Sequence, residues 1–441
     1  MCKFENEESV PENLIPASRR FLFLPLLILF SSAVAAQSPG NLIRQDEVTR
    51  IEKILSADDM QGRQVYTPGI EKAAAFISRE FKAAGLKPLP GSQDYSQHFT
   101  MTNANLTGVT VALDGQSLDS ERIFSFSAAP DLLVTQDSHY HKVFVKKGDD
   151  FGEIFYKYMD ESQDFLILVD TSFSKRFMRY AHIHTPSFKE SGNRIFILTS
   201  SNPAQFSIHI KQDTIKKSLT NLVGVLPGRS LKDEYVIFSA HYDHLGIGKP
   251  DAKGDSIYNG ANDDASGTTA VITLAKYFSK LKINERTLIF AAFTAEEVGE
   301  FGSAYFSKQL NPDKVMAMFN IEMIGTESKW GKNSAYITGY DRTDMGSILQ
   351  KNLKNSKFKF YPDPYPDQQL FLRSDNATLA KLGVPAHTIS TSKMDSEKFY
   401  HTQEDELETL DMANMTEIIK AIALSAGSII AGKDTAQRVK P

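Results

Sequence analysis

The chain has 441 residues, of which 41% are hydrophobic and 23% charged, with a formal net charge of -5. This is ordinary globular composition with room for a large core and an accessory domain, and without a basic surplus or a dense Lys/Arg patch it argues against nucleic acid as a partner. Its one cysteine, Cys2, precedes an expected cleavage point, so cysteine nucleophiles and cysteine-ligated zinc are excluded from the mature chain, and any metal must be held by histidine and carboxylate.

At the N-terminus, Arg19-Arg20 precede an apolar run from Phe21 to Phe30, followed by the small residues Ser31, Ser32, Ala33, Val34, Ala35 and Ala36. This is the layout of a signal peptide over 1–36, with cleavage near Ala35 or Ala36. The run falls short of the roughly 20 residues that span a bilayer. The expectation is an exported chain, periplasmic or secreted, with no stable membrane span after cleavage; an uncleaved anchor is the alternative. Residues 37–104 read as a helical part of the main domain: "VTRIEKILS" and "GIEKAAAFISREFKAAG" carry apolar residues at helical spacing, and Gly85 ends the second. Residues 105–218 change character. Short runs such as "GVTVAL", "DFLILVD" and "NRIFILT" between polar turns predict a β-rich insert. From 219 to 441 strands and helices alternate. "EYVIFSA", "RTLIFAAF", "VMAMFNIEM" and "PAHTIST" read as strands, and "TTAVITLAKYFSKL", "GSAYFSKQL", "DNATLAKLG" and "MTEIIKAIALSAGSIIAG" as helices. The fold class expected is α/β, a mostly parallel central sheet covered by helices on both faces.

Open α/β sheets place ligands beyond the carboxyl ends of their strands, and these ends are rich in metal-ligating residue types. His241-Tyr242-Asp243-His244 follows "EYVIFSA", Asn262-Asp263-Asp264 precedes a helix, Glu296-Glu297 follows "RTLIFAAF", Glu322 ends "VMAMFNIE", and His401 lies in "FYHTQEDE". A histidine two residues before an aspartate fits a ligand whose second ring nitrogen is held by that carboxylate, though an isolated pair is often incidental. The adjacent Asp263 and Asp264 repel each other unless a helix N-terminus or a cation offsets them, so they read as either an N-cap or a cation site. Two glutamates at a buried strand end call for a cation, and an unpaired Glu322 beside Ile321 and Met323 would be costly. Together, two histidines and three or four carboxylates can hold two metals; oxygen and nitrogen donors without sulfur suit zinc, with cobalt or manganese as substitutes. The sequence has no His-Glu-x-x-His helix and no Gly-x-Ser-x-Gly elbow.

"SAHYDHLG", "NGANDDASGTTAV", "FAAFTAEEVGEFGS", "NIEMIG" and "FYHTQEDE", in this order and spacing, resemble the co-catalytic zinc aminopeptidase family, typified by bacterial leucyl aminopeptidase and including glutamate carboxypeptidase II. The resemblance runs from about Asn221 to the C-terminus and more weakly through "LSADDMQGRQVYTPG"; the insert occupies the place where relatives carry a protease-associated domain. It implies a zinc-exopeptidase-like fold with two zinc ions. It implies His241 and Glu322 as ligands of the first metal, Asp263 as the bridging ligand, and Glu297 and His401 as ligands of the second. Asp243 is implied as the orienter of His241, and Glu296 as the general base. Asp264 falls where the family has a strained peptide bond. Bacterial leucyl aminopeptidase has Asp at the position of Glu322; the extra methylene keeps charge and donor atoms.

The function expected is hydrolysis of a peptide substrate by metal-activated water, with release of N-terminal residues. Tyr400, next to His401, is a candidate donor to the developing oxyanion. The alternatives are a carboxypeptidase or dipeptidase, for which Arg373 would be the cation in the pocket unless it pairs with Asp375, a single-zinc glutaminyl cyclase, and a non-catalytic binding homologue. His244 and His387 are expected to line the site. His139, His141, His182 and His184 are expected on exposed strand positions.

Overall fold

The computed structural model describes residues 39–159, 161–183, 185–188 and 191–440; the expected signal peptide, Cys2 and His184 lie outside the described residues. Its framework is a sheet whose main strands are β1 (Ser96–Leu113), β2 (Phe206–Leu226), β3 (Leu231–His241), β4 (Arg286–Phe293), β5 (Val315–Ile321), β6 (Ser334–Ile337), β7 (Lys359–Pro362) and β8 (Ala386–Ser390). They lie in the order β7-β6-β8-β5-β3-β4-β2-β1. β3 pairs in parallel with β4 and β5, and β5 with β8, whereas β2 joins β4 and β6 joins β8 antiparallel.

The central strands are apolar on both faces because both faces are covered. Successive strand residues point to opposite sides. Thus Val236, Phe238 and Ala240 of β3 enter one core, together with Leu288, Phe290 and Ala292 of β4, while Ile237, Ile289 and Ala291 enter the other. Phe238 stacks on Phe278, Phe290 and Phe319 at the centre of the larger core. That side is layered by α1 (Gln45–Leu55), α2 (Pro68–Ala84), α3 (Ser266–Leu281) and α4 (Met412–Ser425). Gly85 ends α2 as its sequence predicts: it adopts φ 76°, and the Leu86 N–H closes back on the Phe81 carbonyl. Among the described residues no helix is long and apolar enough to cross a membrane.

The segment before β2 differs from its sequence reading in two ways. β1 and β2 form one long antiparallel hairpin in register from Ser96↔Leu222 to Leu113↔Phe206. The divisions at 104/105 and 218/219 therefore fall inside strands, and residues 96–104, read as helical, are β. In the rest of the insert, the short strands 116–118, 131–135 and 187–188 add to this ribbon, while 123–126, 194–198, 165–169 and 141–145 form a separate four-stranded sheet, partly parallel, with helices Phe151–Met159 and Ser174–Ala181 against it. It is α/β rather than purely β-rich. Phe151 and Phe155 of the first helix and Phe177 of the second fill its aromatic core.

Candidate metal centre

The parallel pairing sets the strand ends level. His241 pairs with Phe293 and Ser239 with Asn320, so Glu296-Glu297 and Glu322 emerge at the edge where β3 ends. The 261–265 turn leading into α3 adds Asp263, and the loop after β8 adds His401. Ala295, Met323 and His401 have left-handed backbone (φ 59°, 51° and 57°), turning the chain sharply beside Glu296, beside Glu322 and at the histidine itself. Gly260 (φ 57°) precedes the turn, and a Cβ there would collide with the Asp263 carbonyl and the His244 ring. The Asp263–Asp264 bond is cis.

Asp263 lies at the middle of the cluster. Its Oδ1 is 3.3 Å from His241 Nε2, and its Oδ2 is 3.3 Å from His401 Nε2. Glu297 Oε2 is 3.1 Å from the same His401 nitrogen. Neither histidine Nε2 makes a hydrogen bond, and Glu322 Oε2 is likewise buried without one. Lone-pair atoms that converge without bonding one another are what a cation satisfies. The tightest donor group among the described residues is His244, Asp263 and Glu297, all within 4.8 Å of one another. His244 therefore does more than line the site: its Nδ1 is 2.8 Å from Glu297 Oε1, where it either steers that carboxylate or donates to the same ion. His387 is not at the site; it is buried between the Thr338 carbonyl and the Thr343 hydroxyl. His182 sits in the turn after a helix rather than on a strand.

The electrostatics point the same way. Burial, reinforced by the neighbouring carboxylates of Glu322, Asp375 and Glu297 and opposed by His241, pushes Glu296 well above the usual carboxylate range. Burial raises Glu322 and Asp243 to about 7 against the pull of His241. Asp263 goes the other way: burial alone would raise it, but the imidazoles of His241 and His401 close against its two oxygens outweigh that and hold it low. For His401, burial alone would lower the imidazole, but the nearby carboxylates of Asp263 and Glu297 raise it to about 10. Carboxylates outnumber imidazoles in a nearly dry space, which favours bound positive charge. The donor set fits zinc.

Supporting groups fix this constellation. Asp243 carboxylate accepts the backbone N–H groups of Glu296 (3.1 Å) and Glu297 (3.4 Å). His241 Nδ1 lies closer to the Asp243 carbonyl (3.2 Å) than to its carboxylate (3.9 Å), so the ring is oriented by the backbone of Asp243, and the side chain chiefly holds the two glutamates. Asp264 accepts from Gly267 and Met323, tying the turn to the Glu322 strand end. Tyr400 stacks on His401 with ring centroids 3.9 Å apart.

Two further residues hold the centre and were not assigned roles by the sequence reading. Asp405 accepts the N–H groups of Asn262 (2.8 Å) and Asp263 (3.0 Å). Arg63, only 1% exposed, donates to the carbonyls of Leu55, Tyr242, Asn259 and Gly260. It thereby joins the two loops that carry His241, His244 and Asp263. Arg63→Met should cost about 3–5 kcal/mol, because several buried carbonyls lose their donor together. Thermal denaturation and a zinc titration would check this, with weaker zinc binding expected alongside the lower melting temperature.

Residues 221–426 match Peptidase family M28. All five ordered motifs fall within this match. Among curated relatives, the chain resembles an aminopeptidase of Bacillus subtilis (strain 168), at 24% identity over 47% of this chain and 45% of the relative. It also resembles a probable zinc metalloprotease of Pyrenophora tritici-repentis, at 34% identity over 24% of this chain and 25% of the relative. The chain spans less than half the length of the curated relatives it matches. In fold it is similar to a zinc aminopeptidase from Bacillus subtilis (TM-score 0.54, 15% identity, 90% of this chain and 98% of the other). It is similar also to an aminopeptidase from Aneurinibacillus (TM-score 0.52, 17% identity, 91% and 97%). The expected fold class, a largely parallel sheet between helical layers, is the fold these two neighbours share.

Proposed function

We propose that the chain is an exported two-zinc aminopeptidase. The observation that carries the metal count is that each oxygen of Asp263 faces a different histidine, as a carboxylate between two ions would. His241 and Glu322 would hold one ion, and Glu297 and His401 the other, with Asp263 between them and His244 beside the second. Zinc, when bound, supplies Lewis acidity and lowers the pKa of water. The names of the curated relatives support an aminopeptidase, and the sequence of residues 19–36 supports export.

The chain's own residues supply the rest. Glu296, its backbone held by Asp243 and its Oε2 4.0 Å from His241 Nε2, takes the proton of the attacking water and returns it to the leaving amine. Its raised affinity for a proton suits both transfers. Burial, followed by the nearby Asp263 and Glu297 carboxylates, pushes the Tyr400 phenol up, so it stays protonated and able to donate to a developing oxyanion. A comparison of leucine 4-methylcoumarin amide with its N-acetyl derivative tests the choice of terminus. The free amine should be cleaved and the acetylated compound at least about 100-fold more slowly, since a site built for a polar group rejects the analogue that lacks it. Equal rates would overturn the aminopeptidase reading.

A further inference from the structure

Beside the candidate metal centre lies a cavity of about 40 Å³, walled by Glu322, Tyr336, Leu370, Arg373, Met394 and Tyr400. At roughly 10–15 Å³ per ordered water this space takes about three waters, the bulk of one carboxylate group. Its composition is unusual in one respect: the wall carries a guanidinium that the carboxylate in the same wall, Glu322, does not pair. Arg373 reaches only the Gln368 carbonyl at 3.4 Å and the Gln368 amide oxygen at 3.3 Å, both long contacts. It forms no ion pair among the described residues. Asp375, the partner its sequence position suggests, is fully buried, and neither of its oxygens is hydrogen-bonded to Arg373 or to any other described group. Glu322, across the cavity, is assigned to metal and lies outside ion-pair distance of Arg373.

We propose that Arg373 recognises a carboxylate on the substrate, chiefly the side chain of an N-terminal Asp or Glu. This rests on the metallopeptidase reading above and narrows its substrate class. While the cavity holds water, the exposed guanidinium is solvated and needs no partner. A substrate residue that enters displaces that water, and a planar carboxylate can then take two parallel N–H bonds from the guanidinium. Leu370 and Met394 flank the methylene stem. A lysine or arginine side chain would instead meet a like charge.

A carboxylate could also come from the C-terminus of a dipeptide, and the experiment separates the two sources. The full chain, loaded with zinc, is assayed on the 4-methylcoumarin amides of Asp, Glu, Leu and Lys, and on Ala-Ala against Ala-Ala amide, as wild type and as Arg373→Gln. For side-chain recognition, wild type prefers acidic amides over Leu by about tenfold in kcat/KM, the Lys amide is poorest, and Arg373→Gln removes the preference through KM. If the preference is instead for Ala-Ala over its amide, and Arg373→Gln removes that, the carboxylate is the C-terminal one and the recognition by Arg373 stands. Ratios unchanged by Arg373→Gln in both series overturn it. A readout without turnover keeps the inference distinct from the aminopeptidase reading. Free L-glutamate should raise the melting temperature of the zinc-loaded wild type more than L-glutamine does, and Arg373→Gln should abolish the difference. If no free-amine amide is cleaved yet glutamate stabilises through Arg373, the aminopeptidase reading falls and carboxylate recognition remains. If glutamate and glutamine stabilise equally, the recognition falls.

Discussion

Glu296→Gln should retain its zinc and lose at least about 1000-fold in kcat, because a positioned general base and acid is worth roughly 100- to 10,000-fold and both proton transfers pass through this one carboxylate. The amide preserves shape, and the backbone N–H bond to Asp243 does not depend on the side chain. Glu296 also stands outside the tightest donor group, which uses Glu297 instead. Metal content by plasma mass spectrometry, measured beside kcat on the same preparation, separates this role from ligation. A variant that turns over within tenfold of wild type would show that Glu296 is not the base; one that loses metal would make it a ligand.

The second large effect is expected at Asp263. Asp263→Ala removes the one carboxylate that faces both His241 and His401, so zinc content should fall from about two per chain to below one, with activity undetectable. The loss should be visible in stability as well. A ligand bound only by the folded state stabilises it in proportion to the logarithm of its saturation, about 4 kcal/mol at a thousandfold excess over Kd. Added zinc should therefore raise the melting temperature of wild type and leave that of Asp263→Ala unmoved. His401→Ala should behave differently and retain the ion proposed for His241 and Glu322. Two ions retained in Asp263→Ala would refute the bridging assignment.

Much of the catalytic half was legible because its signals are local. A fully apolar run that ends in His241, in Glu296-Glu297 or in Glu322 announces both the strand and the place where it stops, and parallel pairing then brings the ends together. What escaped was non-local. Arg63 bonds carbonyls as far as 197 residues away, and an arginine that binds backbone leaves no pattern in the chain. Asp405 stands within a quoted motif, yet a carboxylate that receives backbone N–H groups looks no different in sequence from one exposed to water. The helix Phe151–Met159 is masked in the sequence by the strand-like segments around its short aromatic run, although Phe151, Ile154, Phe155 and Tyr158 recur at helical spacing. The His241-x-Asp243 spacing suggests a carboxylate–imidazole contact; the folded loop turns the carbonyl towards the ring instead and leaves the carboxylate to the two glutamates.

The long hairpin of β1 and β2 has a consequence for how such a chain can be lengthened or trimmed. Its rungs continue without a break across the place where the catalytic sheet gives way to the accessory lobe, apart from one irregularity between Leu106 and Gly108. The lobe is therefore carried at the tip of a ribbon, and the ribbon can be closed at many heights. Splicing Thr100 to Ser218, which face each other on adjacent strands, would excise everything between them while leaving the lower rungs aligned. The accessory lobe is, in this sense, a graft on a stem, removable by shortening the stem rather than by cutting a linker.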